Sequence, residues 1–168
     1  MGGKIKHTIE DVAWALANIN RFSGNFGPYS VAQHSCLVSD ICNGSYNALH
    51  HDGHEAWTGD VPTPVKNCLN LLGNNVWRTF EHDVAKRYRH YWGVANPMPA
   101  YVKKADTLAL RLEVARIVPN SAKSAFLATG VEPIYISEFT IQDVWSPDKA
   151  YSEFLEYHHR LGPTGRRK

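Results

Sequence analysis

The chain has 168 residues, 43% of them hydrophobic, and a formal net charge of only +2. That suits one globular domain, expected to span 1–168 and bury about two thirds of its unfolded surface, and it excludes the strong field of a dedicated nucleic-acid binder. Three cysteines, Cys36, Cys42 and Cys68, are odd in number and form no CxxC pair, which fits a reducing compartment, and with no apolar run near the roughly 18 residues of a membrane span a soluble, cytoplasmic protein is expected.

Thr8 followed by Asp11 offers an N-cap with an acidic third position, and Val12, Ala13, Leu16, Ala17 and Ile19 recur at helical spacing. A first helix near 9–20 follows. The next stretch, Arg21-Phe22-Ser23-Gly24-Asn25-Phe26-Gly27-Pro28, forbids regular continuation and makes a loop with one cation at its root. Ser30 and Gln33 read as a capping box for a second helix, with His34 in its first turn. There the positive end of the helix dipole keeps the imidazole neutral and able to bind metal. Asn43-Gly44-Ser45 ends that helix, and a third begins near Tyr46 and carries His51 and Asp52, with Gly53 loosening or ending it.

Pro62 and Pro64 mark a stop and a restart, predicting a short helix over 64–72 and a longer one over 74–92. In the longer one Val76, Phe80, Val84 and Tyr88 form a stripe read as core, and Arg78, Glu81, Lys86 and Arg89 occupy the wetter sides. Pro97 or Pro99 opens a helix to about residue 118 that buries Val102, Ala105, Leu108, Ala109, Leu112 and Ala115. Asp106 sits at the border of that apolar stripe, where a carboxylate needs a partner such as a metal. After Pro119 the pattern is mixed, with a short extended piece expected over 134–139, a last helix over 147–160, and a basic tail over 161–168 that includes Arg166, Arg167 and Lys168. Six or so helices with little strand make the fold class all-α, a helical bundle.

The chemistry concentrates in Ala48 to Lys66, ALHHDGHEAWTGDVPTPVK, where His50, His51, Asp52, His54, Glu55 and Asp60 stand among apolar residues. With His34 and Asp106, the His51-Asp52 pair makes a set of two imidazoles and two carboxylates. Such a set suits a divalent ion such as manganese, cobalt, zinc, iron or magnesium, with positions left for water and substrate. Glu55 is then free to act as acid or base. His54-Glu55 lacks the second histidine of HExxH, and neither a PCxxC nor a phosphate loop is present. His50 and His54 read as surface residues or supports of the ligands, and Asp60 as a turn residue or part of the site.

A lone histidine in the first turn of one helix, a His-Asp pair on the next and a distant helical aspartate resemble the HD-domain metal-dependent phosphohydrolases. More narrowly, INRFSGNFGPYSVAQHS, ALHHDGHEAWTGDVPTPVK and VKKADTLALRLE are similar to small bacteriophage enzymes that hydrolyse dATP and to bacterial 5′-deoxynucleotidases, over roughly residues 9 to 118. Gly53 departs from the pattern, which more often has alanine after the His-Asp pair. The resemblance implies His34, His51, Asp52 and Asp106 as metal ligands and Glu55 as the residue that aligns or activates water. It also implies Asp60 in or near the catalytic shell, Arg21 and Lys66 on phosphate, and Phe22 lining the base or sugar pocket. The implied substrate is dATP, released as deoxyadenosine and triphosphate, with deoxynucleoside monophosphates as the alternative. A closed homo-oligomer such as a hexamer is implied as well, in a host cytoplasm for a phage protein. A non-catalytic metal or nucleic-acid-binding module is the rival of another class, although no nucleic-acid motif accompanies the lysines and arginines.

Overall fold

Thr8 starts the first helix as expected: its hydroxyl accepts from the Asp11 backbone amide and the Asp11 carboxylate accepts from the Thr8 amide. The computed structural model describes residues 7–139, 141 and 143–162, so the basic tail lies outside the described residues from 163 on. Among the described residues nine α-helices follow one another and no strand forms. They are α1 (Ile9–Asn18), α2 (Val31–Ile41), α3 (Tyr46–Leu49), α4 (Glu55–Thr58), α5 (Thr63–Leu72), α6 (Val76–Trp92), α7 (Ala100–Arg116), α8 (Asn120–Leu127) and α9 (Pro147–Leu161). None is long and apolar enough to cross a membrane, and all three cysteines are free.

Helix α2 is the axis of the bundle. Residues Val31 to Cys36, Val38 and Ser39 are buried, because α1, α3, α7 and α9 all pack around it. Val31, Ala32 and Cys36 join Val12, Leu16, Leu49, Tyr88 and Phe154 in one apolar cluster, and Val38 joins Ala48, Val102, Ala105 and Ala109 in another. Each valine, leucine or phenylalanine among them contributes about 1.5–3 kcal/mol on leaving water. Helix α9 closes the far side against α1, α2 and α3.

The loop before α2 is pinned at its root. Arg21 donates its amide to the Tyr29 carbonyl at 2.8 Å and Val31 donates to Ile19 at 2.9 Å, so Asn20 and Ser30 face each other across an isolated bridge. Between these anchors Arg21–Gly24 forms a 3-10 turn in which Phe22 and Ser23 take φ of 56° and 54°. Left-handed backbone at non-glycine residues costs about 1–2 kcal/mol each, and the pinned ends hold it.

Several expectations are corrected. The Ser30 hydroxyl does cap α2, accepting from the Gln33 amide, but the Gln33 side chain does not reach back. It donates to the Asp143 carbonyl at 2.7 Å and accepts from the Trp145 amide at 2.9 Å, tying the approach to α9 onto α2. The third helix stops at Leu49, so His51 and Asp52 lie on a turn between α3 and α4. The Val76-Phe80-Val84-Tyr88 stripe is not all core: Val76 and Phe80 are exposed, Val84 is half-buried and Tyr88 is buried. Helix α5 buries no residue at all, and Leu71 and Leu72 are 86% and 88% exposed. Leu108 is half-buried, residues 134–139 form no strand, and α8 occupies a stretch where no helix was expected.

Gly53 fits because of Tyr88. A Cβ at residue 53 would fall inside the Tyr88 phenol, and that phenol is hydrogen-bonded to Nδ1 of the buried His50, whose Nε2 lies 2.9 Å from Nδ1 of His158. Burial first, then the neighbouring imidazoles, hold His50 well below its usual pKa, and burial lowers His158 to about 4, so both rings are neutral and the chain of hydrogen bonds is satisfied. Gly53→Ala should therefore overpack this floor and cost about 1–3 kcal/mol. The expected reading is a fall of roughly 2–12 °C in the thermal midpoint; an unchanged midpoint would show that Tyr88 is not pressed against the turn.

Candidate metal centre

Four acceptor atoms meet where α2, the turn after α3 and α7 converge. His34 Nε2 lies 3.3 Å from His51 Nε2, 3.2 Å from Asp106 Oδ1 and 3.7 Å from Asp52 Oδ2. His51 Nε2 lies 3.0 Å from Asp52 Oδ2 and 3.8 Å from Asp106 Oδ1. Ligands held about 2.0–2.2 Å from one cation stand about 3.0–3.6 Å apart. The ligand atoms of His34, His51 and Asp106 all lie within 4.8 Å of one another, with Asp52 beside the two rings.

The tautomers decide what these atoms can do. His51 Nδ1 stands 2.7 Å from the Ala48 carbonyl, which can only accept, so Nδ1 carries the hydrogen. His34 Nδ1 stands 2.5 Å from Glu113 Oε1 and donates to it. With the rings neutral, both Nε2 atoms are lone pairs facing each other and two carboxylates. Such a convergence needs positive charge at its centre, and the mixed nitrogen and oxygen donors fit a divalent cation.

Protons respond to the same field. Burial opposes a charged His51, but Asp52 and Asp106 outweigh it and lift the ring well above its usual pKa. At His34 burial and Arg21 also oppose charge, and Glu113 and Asp106 prevail. Burial pushes Asp52 and Asp106 upward, yet the two imidazoles hold both carboxyls far below the usual range.

Glu113 was not among the expected site residues, although it is fully buried on α7 between Leu112 and Val114. Its Oε2 accepts from Arg21 Nε at 3.1 Å and Nη2 at 2.9 Å, while Oε1 accepts from His34. Burial alone would raise its pKa; Arg21 and His34 outweigh that and keep it ionised. The signal was available: Glu113 lies seven residues after Asp106, on the same helix face and inside an apolar run, where a carboxylate needs a partner as Asp106 does.

The remaining expected residues fall around this core. Glu55 is only 5% exposed, opens α4 and leaves Oε2 buried without a partner among the described residues. Burial, then Asp52 and Asp60, pushes its carboxyl up to about 10. Asp60 is raised too, by burial against the opposing charge of Arg21 and with the help of Asp52. Lys66 is paired with Glu81 at 2.6 Å. Phe22 lies under the Arg21 guanidinium, 5.5 Å from ring centroid to Cζ, and packs with Phe26 and Phe126 at centroid distances of 5.5 and 5.8 Å. Of the two histidines read as surface or supporting residues, both are buried, with His50 in the floor described above and His54 at 7% exposure. Lys103 and Lys104 are exposed, and Arg111 donates to the Glu132 carbonyl at 2.8 Å.

Two proteins resemble the chain. The uncharacterized protein YfdR of Escherichia coli is 35% identical over 108 residues, which cover 62% of this chain and 58% of YfdR. The uncharacterized protein RCAP_rcc00048 of Rhodobacter capsulatus is 30% identical over 166 residues, covering 91% of this chain and 84% of that protein. The chain thus spans less than two thirds of YfdR and most of the Rhodobacter protein. No family model matches it.

Glu113 holds His34 in its metal-binding tautomer, so its loss should be felt at the cation. Glu113→Gln is expected to weaken manganese or zinc binding by about 10–100-fold, read by calorimetric titration of the full chain. Affinity equal to the native protein would remove Glu113 from this role.

Proposed function

The chain belongs to the same family as the Rhodobacter capsulatus protein RCAP_rcc00048, and from the chemistry of the site we propose that it is a divalent-metal-dependent phosphohydrolase of deoxynucleotides, of the HD-domain type. The observation that carries this reading is the meeting of His34, His51, Asp52 and Asp106 beside a buried, unpartnered Glu55 oxygen. A closed structural metal site would have no use for such a carboxyl.

In the proposed reaction His34, His51, Asp52 and Asp106 would hold the ion, which supplies Lewis acidity toward a phosphoryl oxygen and acidifies water when bound. Glu55 orients the attacking water and takes its proton. Its carboxyl is protonated while surrounded by carboxylates, and a divalent charge alongside favours the ionised form that accepts. Water oxygen bonds to the α-phosphorus and the bond from phosphorus to the 5′ oxygen breaks. Asp60, whose pKa burial raises, would pass a proton to the departing oxygen, which otherwise takes one from water.

Arg21 and Lys66 would contact phosphate while remaining paired. Arg21 gives Nε and Nη2 to Glu113 and keeps Nη1, and the Lys66 ammonium has hydrogens left beyond the one on Glu81. The ion pairs aim these cations. Phe22, with Phe26 and Phe126, would provide an apolar wall for base or sugar. The choice of dATP over a monophosphate rests on the sequence resemblance, as does a closed homo-oligomer in the cytoplasm. The exposed Leu71, Leu72, Val76 and Phe80 on α5 and α6 support the oligomer, and a monomeric mass by light scattering would remove it.

Purified protein with manganese or cobalt should release nucleoside from a panel of dATP, dGTP and dAMP, and chelation or Asp52→Asn should abolish this. Turnover that survives both would sink the reading. Glu55→Gln should retain its metal while turnover falls by about 10²–10⁴; metal lost together with activity would make Glu55 a ligand instead.

A further inference from the structure

Helix α6 brings a second set of nitrogen donors to the His-Asp turn. Glu81, Ala85 and Arg89 follow one another at four-residue intervals and so share a helix face. Ala85 is buried on that face, Glu81 pairs with Lys66 from α5, and α6 packs against both α5 and α4. Tyr88, the neighbour of Arg89, reaches beneath Gly53 to His50. Arg89 is thereby placed beside the turn that carries Asp52 and His54, and its charge bears on both of them.

Two buried polar atoms here have no partner among the described residues. Arg89 Nε makes no hydrogen bond, and its guanidinium forms no ion pair among the described residues. His54 is 7% exposed and its Nδ1 is also unsatisfied. Arg21 and Lys66, the cations expected from the sequence, are both committed to buried or half-buried carboxylates. Arg89 is not. A buried donor without an acceptor is unfavourable, and a planar guanidinium matches the oxygens of phosphate in pairs.

We propose that Arg89, with His54 and Lys66, forms an anion subsite beside the metal centre that takes the phosphates of a nucleotide beyond the one attacked. This rests on the phosphohydrolase reading for its substrate but not for its binding test. The subsite supplies what a nucleoside triphosphate needs and a monophosphate does not: donors for charge distal to the α-phosphate. It assigns a substrate contact to a helix whose charged residues otherwise read as a solvated face.

Inorganic tripolyphosphate is the probe, titrated calorimetrically into the full chain with manganese in excess of it. The native protein should bind it, and Arg89→Met should weaken binding by at least tenfold while metal content and thermal midpoint match the native protein. Arg89→Lys, which keeps the charge and the fold, should lie between the two. Unchanged affinity in Arg89→Met, or no tripolyphosphate binding by the native protein, would overturn the proposal. Because this measurement needs no turnover, a protein that binds tripolyphosphate through Arg89 yet hydrolyses no nucleotide would defeat the phosphohydrolase reading alone. Nucleotide turnover with tripolyphosphate binding indifferent to Arg89 would defeat the subsite alone.

Discussion

The meeting of two imidazole lone pairs with two carboxylates is the constraint on which the rest of the structure depends. With no cation present the arrangement is held by protons, since the carboxylates lift both imidazoles above their usual pKa. It persists because the atoms behind it are fixed. Ala48 and Glu113 dictate which ring nitrogens carry hydrogen, and Arg21 keeps Glu113 ionised in a buried position. Burial of residues 31–36 of α2 then gives His34 nowhere else to go. A cation completes the arrangement chemically in a way that no rearrangement of these side chains does.

Support comes from below as well. The hydrogen bonds linking Tyr88, His50 and His158 run under the His-Asp turn, and glycine at 53 lets the phenol come that close. The carboxy-terminal third, which carries no recognisable motif, is tied into this floor: His158 is on α9, and Gln33 on α2 grips the backbone at Asp143 and Trp145. Distant sequence therefore buttresses the site without entering it. Phe126 on α8 does the same for the Phe22 loop, whose strained backbone needs both its pinned root and a ring to lean on.

Excess negative charge is the site's other organising feature. Asp52 and Asp106 stay ionised because imidazoles face them, while Glu55 and Asp60, which lack such partners at close range, are driven toward the protonated form. Carboxyls a few residues apart thus acquire opposite tendencies from their surroundings. Proton donors and acceptors sit side by side for that reason, and the cations Arg21 and Lys66 are balanced locally rather than left to neutralise the centre.

Sequence alone determined what depends on short-range chemistry. Thr8 and Ser30 marked helix starts because a cap is made within three residues, the spacing of α1 and α7 declared their buried faces, and the residue types of His34, His51, Asp52 and Asp106 suggested a metal set, of which His34, His51 and Asp106 converge closely enough to hold an ion. What it did not determine was what each face would meet. Gln33 looked like a capping side chain until a segment 110 residues away offered better partners, Val76 and Phe80 looked like core although they stand exposed among the described residues, and Glu113 went unnoticed because its partners, Arg21 and His34, lie 92 and 79 residues away. Periodicity records which side chains share a surface, and only tertiary packing decides whether that surface meets water, another helix or a charge.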